Sequence, residues 1–135
     1  MAVEKLNHVA IAVNDIAEAK RLFEDILGLA ASEPEIVETQ KVKTVMIKLG
    51  DTRIELLEPT SGDSAIAKFL EKKGPGLHHL CYQVDDIEAT IDAMKNSGRK
   101  MIDETARPGA HGTMIAFAHP KSTGGVLTEF AEVKK

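Results

Sequence analysis

The 135-residue chain is 43% hydrophobic and 28% charged, and its 21 acidic residues outweigh 17 basic ones to give a net charge of −4. This balance excludes a disordered chain and argues against non-specific binding to nucleic acid, and no apolar run reaches the roughly 20 residues that a membrane helix needs. The single cysteine, Cys81, leaves no internal disulfide and fits a reducing compartment. The opening Met-Ala-Val-Glu-Lys has no secretion-signal pattern, so a cytoplasmic location is expected. The length predicts one domain, 1–135. With four Phe, one Tyr and no Trp, its interior has to be built from Ile, Leu, Val, Ala and Met.

Leu6 to Val13 alternates and is rich in strand formers, which predicts a strand with His8 in its interior. Asn14-Asp15 then offers a helix N-cap, with Glu18 placed as in a capping box. Ile16, Ala19, Phe23, Ile26 and Leu27 recur at helical spacing until Gly28 stops the helix. Val42–Leu49 and Thr52–Leu57 read as two strands of a hairpin around Gly50-Asp51, ended by Pro59. A short helix is expected over Ser64–Lys72, capped by Asp63 or Ser64. The breaker Lys73-Gly74-Pro75-Gly76 then divides the chain into modules 1–73 and 76–135.

After the breaker the pattern starts again. Leu6, His8, Val13, Asp15 and Ile16 recur with the same spacing as Leu77, His79, Val84, Asp86 and Ile87. A helix follows to about Ser97, then a loop over Asp103–Gly112 and strands at Met114–Ala118 and about Val126–Ala131. Gly50, Glu55 and Glu58 recur as Gly124, Glu129 and Glu132 at a slightly longer offset that a loop absorbs. An internal repeat dictates architecture. The expected fold is therefore α+β, two tandem βαβββ modules joining their sheets into a concave mixed β-sheet.

The repeat also selects residues. His8 and His79 occupy equivalent places on the first strand of each module, and Glu55 and Glu129 on the last. A lone strand histidine is more often a packed core residue than a ligand, and a solvent-facing glutamate carries no information. A glutamate turned inward must be paired or bind a metal, because burying a bare carboxylate is costly. Two polar types recurring together in the same order point to the second case. Two imidazoles and two carboxylates suit Mn, Co, Ni, Fe or Zn. His78 should face away from His79, since successive strand residues alternate sides.

Further stretches carry a resemblance: Leu6-Asn7-His8-Val9-Ala10, the run from Gly50 to Pro59, Gly76-Leu77-His78-His79-Leu80 with Val84-Asp85-Asp86-Ile87, Gly109-Ala110-His111-Gly112, and the run His119-Pro120-Lys121-Ser122-Thr123-Gly124-Gly125-Val126-Leu127. The sequence resembles the vicinal oxygen chelate (glyoxalase/bleomycin resistance) superfamily over nearly its whole length. Within it, the last run is similar to that of the methylmalonyl-CoA epimerases. The resemblance implies a glyoxalase-like fold around a metal site with His8, Glu55, His79 and Glu129 as ligands. The ion expected is Co2+ or Mn2+, with Ni2+, Zn2+ and Fe2+ as alternatives. It implies a homodimer acting on an acyl-CoA by C2 proton abstraction through a metal-stabilised thioester enolate, with Glu129 as one acid/base. Some epimerases have Gln where Glu55 stands. Some carry a second glutamate on the strand after the first helix, at the position assigned here to Thr44, which leaves Glu55 among the candidates for the second acid/base. Arg107, His111, Lys121 and Ser122 are the candidate substrate contacts, with the CoA phosphates falling to Arg107, Lys121 and the turn around Ser122. Two other functions share the fold: the glyoxalase I reaction, and binding of a small molecule without a metal.

Overall fold

The computed structural model describes residues 2–134. Its regular elements are β1 (Val3–Ala12), α1 (Ile16–Arg21), β2 (Glu35–Val37), β3 (Val42–Leu49), β4 (Thr52–Pro59), α2 (Ala65–Lys73), β5 (Gly76–Val84), α3 (Ile87–Asn96), β6 (Arg107–Pro108), β7 (Thr113–Ala118) and β8 (Thr128–Val133). The strands form one mixed sheet in the order β2-β3-β4-β1-β5-β8-β7-β6. β1 pairs parallel with β4, and β5 pairs parallel with β8, while the remaining neighbours within each half are antiparallel. This is the expected α+β class, and each half runs β-α-β-β-β.

Two compact units divide the chain: one spans His8–His78, and the other joins the segment through Asn7 to everything from His79 onward. β1 therefore begins in one unit and continues in the other. Its first residues are tied to the second unit by polar contacts. The Asp85 carboxylate accepts from Ala2 N at 2.8 Å, Asn7 Nδ2 donates to Gln83 Oε1 at 2.9 Å, and Gln83 Nε2 donates to Glu4 Oε1 at 3.0 Å. The Ala2 amide holds the Asp85 carboxyl below its ordinary pKa.

Each unit uses its last long strand on both faces. In the first, α1 packs Ile16 with Val45, Ile47 and Leu56. In the second, α3 packs Ile87 and Ile91 with Val84, Ala116, Ala118 and Phe130. Both helices begin on an aspartate cap: Asp15 accepts from Glu18 N at 3.3 Å, and Asp86 from Ala89 N at 3.1 Å. A second carboxylate then meets the first amide of each helix. Glu58 Oε1 accepts from Ile16 N at 2.8 Å, and Glu132 Oε1 from Ile87 N at 2.9 Å. The recurrence of Glu58 as Glu132 is thus a repeated helix cap, placed where the helix dipole favours negative charge.

The structure departs from the periodicity reading in the first helix. After Arg21 the chain widens into a π-turn over Leu22–Ile26, where Leu27 N donates to Leu22 O. The extra residue in the turn rotates the apolar stripe. Phe23 keeps its core contact, but Ile26 and Leu27 are left 76% and 55% exposed. The short edge strands β2 and β6 carry no alternation long enough to announce them, and β8 starts at Thr128 because the preceding residues complete a turn.

Glu132→Ala leaves the Ile87 amide without its carboxylate and should destabilise the fold by about 1–2 kcal/mol in urea unfolding; an unchanged midpoint would contradict the cap. Asp63, which accepts from the Lys41 ammonium and the Ser61 hydroxyl, is lowered from 3.8 to about 2, chiefly by Lys41. A folded value below the unfolded one means that the pair adds stability above roughly pH 4, and that this is lost as pH falls toward the lowered value. Lys41→Met should move the Asp63 midpoint, read by carboxyl NMR, back toward 3.8. A midpoint that stays put would show the ammonium to be irrelevant.

Candidate metal centre

In the first unit the register does the placing. β1 runs parallel to β4 with Ala10 beside Glu55. His8 lies two residues before Ala10 on the same face, and its Nε2 is 3.5 Å from Glu55 Oε1. The second unit repeats the arrangement. Cys81 pairs with Glu129 across β5 and β8. His79 lies two residues before Cys81, with Nε2 3.0 Å from Glu129 Oε1. Each histidine thus precedes by two residues the parallel neighbour of its glutamate. All four residues are buried, at 5–7% exposure.

The donor atoms suit a divalent ion. Two ligand atoms about 2.1 Å from one ion and at right angles lie about 3.0 Å apart. The His79–Glu129 separation matches that spacing, and the 3.5 Å of His8–Glu55 corresponds to a wider angle. A buried carboxylate against an imidazole nitrogen is also a set that a transition-metal ion satisfies without further polar partners.

The walls differ between the units. Glu55 is flanked by Ala10 on β1 and Met46 on β3. Glu129 is flanked by Cys81 on β5 and Phe117 on β7. Cys81, Ile115 and Ala131 pack with Phe117 into an apolar floor, and the Phe117 ring meets His79 edge to face, with centroids 5.3 Å apart. In the first unit α2, capped by Ser64, lays Ile66 onto Ala10, Ala12 and Leu57 farther along the face that carries His8. Thr44 is buried opposite Leu57, and its hydroxyl donates to Glu35 O at 3.5 Å. His78 points elsewhere, its ring 5.0 Å from that of Phe69.

The four expected substrate contacts all lie in the second unit, in different states. Arg107 Nε donates to Asp103 Oδ1 at 3.1 Å, and the guanidinium lies over Phe117. His111 is exposed and adopts a left-handed φ of 58°. Lys121 is exposed on the turn after His119. Ser122 is engaged within the protein: its Oγ accepts from Lys100 N at 2.8 Å and donates to Lys100 O at 3.1 Å. The amides of Ser122, Thr123 and Gly125 are spent on carbonyls of the same turn, so those three do not form an open phosphate cradle.

Sequence reasoning missed Asp103 and Phe117. Phe117 stands in the alternation of β7 and directly opposite Glu129. One sequence signal was available: an aromatic residue on the strand beside an inward glutamate belongs to the same wall.

Residues 7–117 match the profile of the Glyoxalase/Bleomycin resistance protein/Dioxygenase superfamily. The chain is 43% identical over 129 residues to the mitochondrial methylmalonyl-CoA epimerase of Homo sapiens, spanning 95% of this chain and 73% of that protein. It is 40% identical over 133 residues to an ethylmalonyl-CoA/methylmalonyl-CoA epimerase of Cereibacter sphaeroides, spanning 97% and 99%. A methylmalonyl-CoA epimerase solved in complex with methylmalonyl-CoA and NH4+ superposes with a TM-score of 0.92 at 31% identity, covering 98% of this chain and 96% of that one. The chain therefore belongs to the glyoxalase/bleomycin resistance protein/dioxygenase superfamily, on the side of its methylmalonyl-CoA epimerases.

Proposed function

We propose that this protein is a metal-dependent methylmalonyl-CoA epimerase that interconverts the 2R and 2S forms by moving the C2 proton. The observation that carries the reading is the duplicated, buried His–Glu pair at the same register in both units, in a chain about 40% identical to named epimerases of that substrate.

In this reading His8, Glu55, His79 and Glu129 hold one divalent cation. The ion expected is Co2+ or Mn2+. When bound, it supplies positive charge where negative charge builds on the thioester oxygen, worth several kcal/mol to the transition state. The C2 hydrogen lies between a thioester carbonyl and a carboxylate and does not leave unaided. Glu129 takes it as general base. The C–H pair passes into the thioester enolate, and a proton returned on the opposite face completes inversion. Glu55 is the proposed second acid/base, since the Thr44 hydroxyl is no base at neutral pH and is occupied by Glu35 O.

The apolar floor of Cys81, Ile115 and Ala131 keeps water from the enolate. Arg107 and Lys121, the latter on the turn that Ser122 ties to Lys100, are the proposed contacts for CoA phosphate, and His111 is a further proposed substrate contact. The reading carries with it a homodimer and a cytoplasmic location. No helix among the described residues is long and apolar enough to cross a membrane.

Deuterium at C2 of labelled methylmalonyl-CoA should wash out rapidly with the metal-loaded protein and slowly after chelation. Rapid isomerisation of a glutathione hemithioacetal without that exchange would assign the glyoxalase reaction instead, and less than about a tenth of an equivalent of transition metal, with no gain on adding Co2+ or Mn2+, would point to metal-free binding. Glu129→Gln should lower the exchange rate at least ~100-fold in protein whose ion content has been matched to the wild type. Near-normal turnover would remove Glu129 from the role of base.

A further inference from the structure

Phe117 is held more tightly than a wall residue needs. Its N–H donates to Asp103 Oδ2 at 2.9 Å, and its carbonyl accepts from Ile102 N at 2.9 Å and Asp103 N at 3.1 Å. The same Asp103 carboxylate accepts from Arg107 Nε at 3.1 Å through its other oxygen. Arg107 in turn sets its guanidinium carbon 5.8 Å from the centroid of the Phe117 ring. That ring stands at 81° to the imidazole of His79. A continuous series of contacts thus runs from Asp103 through Arg107 and Phe117 to His79, all within one unit.

The segment is also pressed close to β7. Gly109 N donates to Thr113 O at 2.9 Å, and a Cβ on Gly109 would lie 2.6 Å from Ile115 Cγ2 and 2.8 Å from Thr113 Oγ1. Only glycine permits that approach. Asp103 is the component that makes the series rigid. Its side chain is 17% exposed against 42% for Arg107, so it fixes a guanidinium that would otherwise extend into solvent. A cation over an aromatic face and a ring edge against an imidazole each contribute modestly. Together they favour the His79 orientation in which Nε2 lies 3.0 Å from Glu129 Oε1.

We propose that Asp103, Arg107 and Phe117 are positioning residues that fix the His79 imidazole for ion binding. The inference rests on the metal centre proposed above. Outer partners that hydrogen-bond a ligand typically alter metal affinity by roughly 10–100-fold when removed, and an aromatic contact is expected at the low end of that range.

The test measures Mn2+ binding alone, by calorimetry, on the whole chain and without substrate. Phe117→Leu should weaken Mn2+ binding about 10-fold and, in the metal-free protein, shift the His79 imidazole proton resonances as the ring current is lost. Phe117→Tyr keeps the ring and should bind as the wild type does. Asp103→Asn keeps an acceptor for the Phe117 amide but drops the charge that anchors Arg107, so a smaller loss is expected. It also carries the test if Phe117→Leu fails to fold. Wild-type affinity in folded Phe117→Leu, or in Asp103→Asn where that variant carries the test, would overturn the inference and leave the metal centre standing. Equal losses in Phe117→Leu and Phe117→Tyr would also overturn it, because packing and not ring orientation would be the cause. Failure of the wild type to bind Mn2+ would overturn the metal centre and this inference together.

Discussion

A carboxylate buried on the face of a β-sheet has to be matched, and in each unit of this protein the match is an imidazole set two residues back from its parallel neighbour. The parallel pairing of β1 with β4 and of β5 with β8 fixes this placement, because laterally paired residues share a face. With Nε2 and Oε1 3.0 Å apart in one unit and 3.5 Å apart in the other, neither glutamate is left bare. The apolar residues around Glu129 would otherwise make its charge untenable. The proposed chemistry depends on this constraint: in each unit, a buried glutamate whose oxygen faces an imidazole nitrogen.

The helices answer to the same strands. Glu55 and Glu58 lie three residues apart on β4, as do Glu129 and Glu132 on β8, so each strand sends one carboxylate to either face. One serves the candidate centre, and the other meets the first amide of α1 or α3. Shifting either strand by one residue would displace both carboxylates at once. The register that caps the helices is therefore the register that sets the buried His–Glu pairs, which ties the stability of the helices to the candidate centre without any direct contact between the two.

The repeated chemistry was legible in the sequence because it is written in residue types. His8 with Glu55 and His79 with Glu129 recur in order, and the aspartate caps at Asp15 and Asp86 stand where a capping signal predicts them. Long-range contacts were not legible. Ser122 reads as a phosphate contact, yet its hydroxyl bridges the backbone of Lys100, a partner distant in sequence. Arg107 reads as a candidate contact for CoA phosphate, and nothing in the sequence announces that Asp103 clasps it over Phe117. The π-turn at Leu22–Ile26 escaped because one extra residue in a turn leaves local composition unchanged while it turns Ile26 to the surface. The edge strands β2 and β6, of three and two residues, are shorter than any period that a pattern can reveal.

The central claim is that both His–Glu pairs serve one ion. Anomalous scattering from crystals grown with Co2+, recorded on either side of the cobalt absorption edge, tests it most directly. The account predicts a single strong peak per chain, bonded to His8, Glu55, His79 and Glu129. No peak at these side chains, or separate peaks at the two pairs, would contradict it.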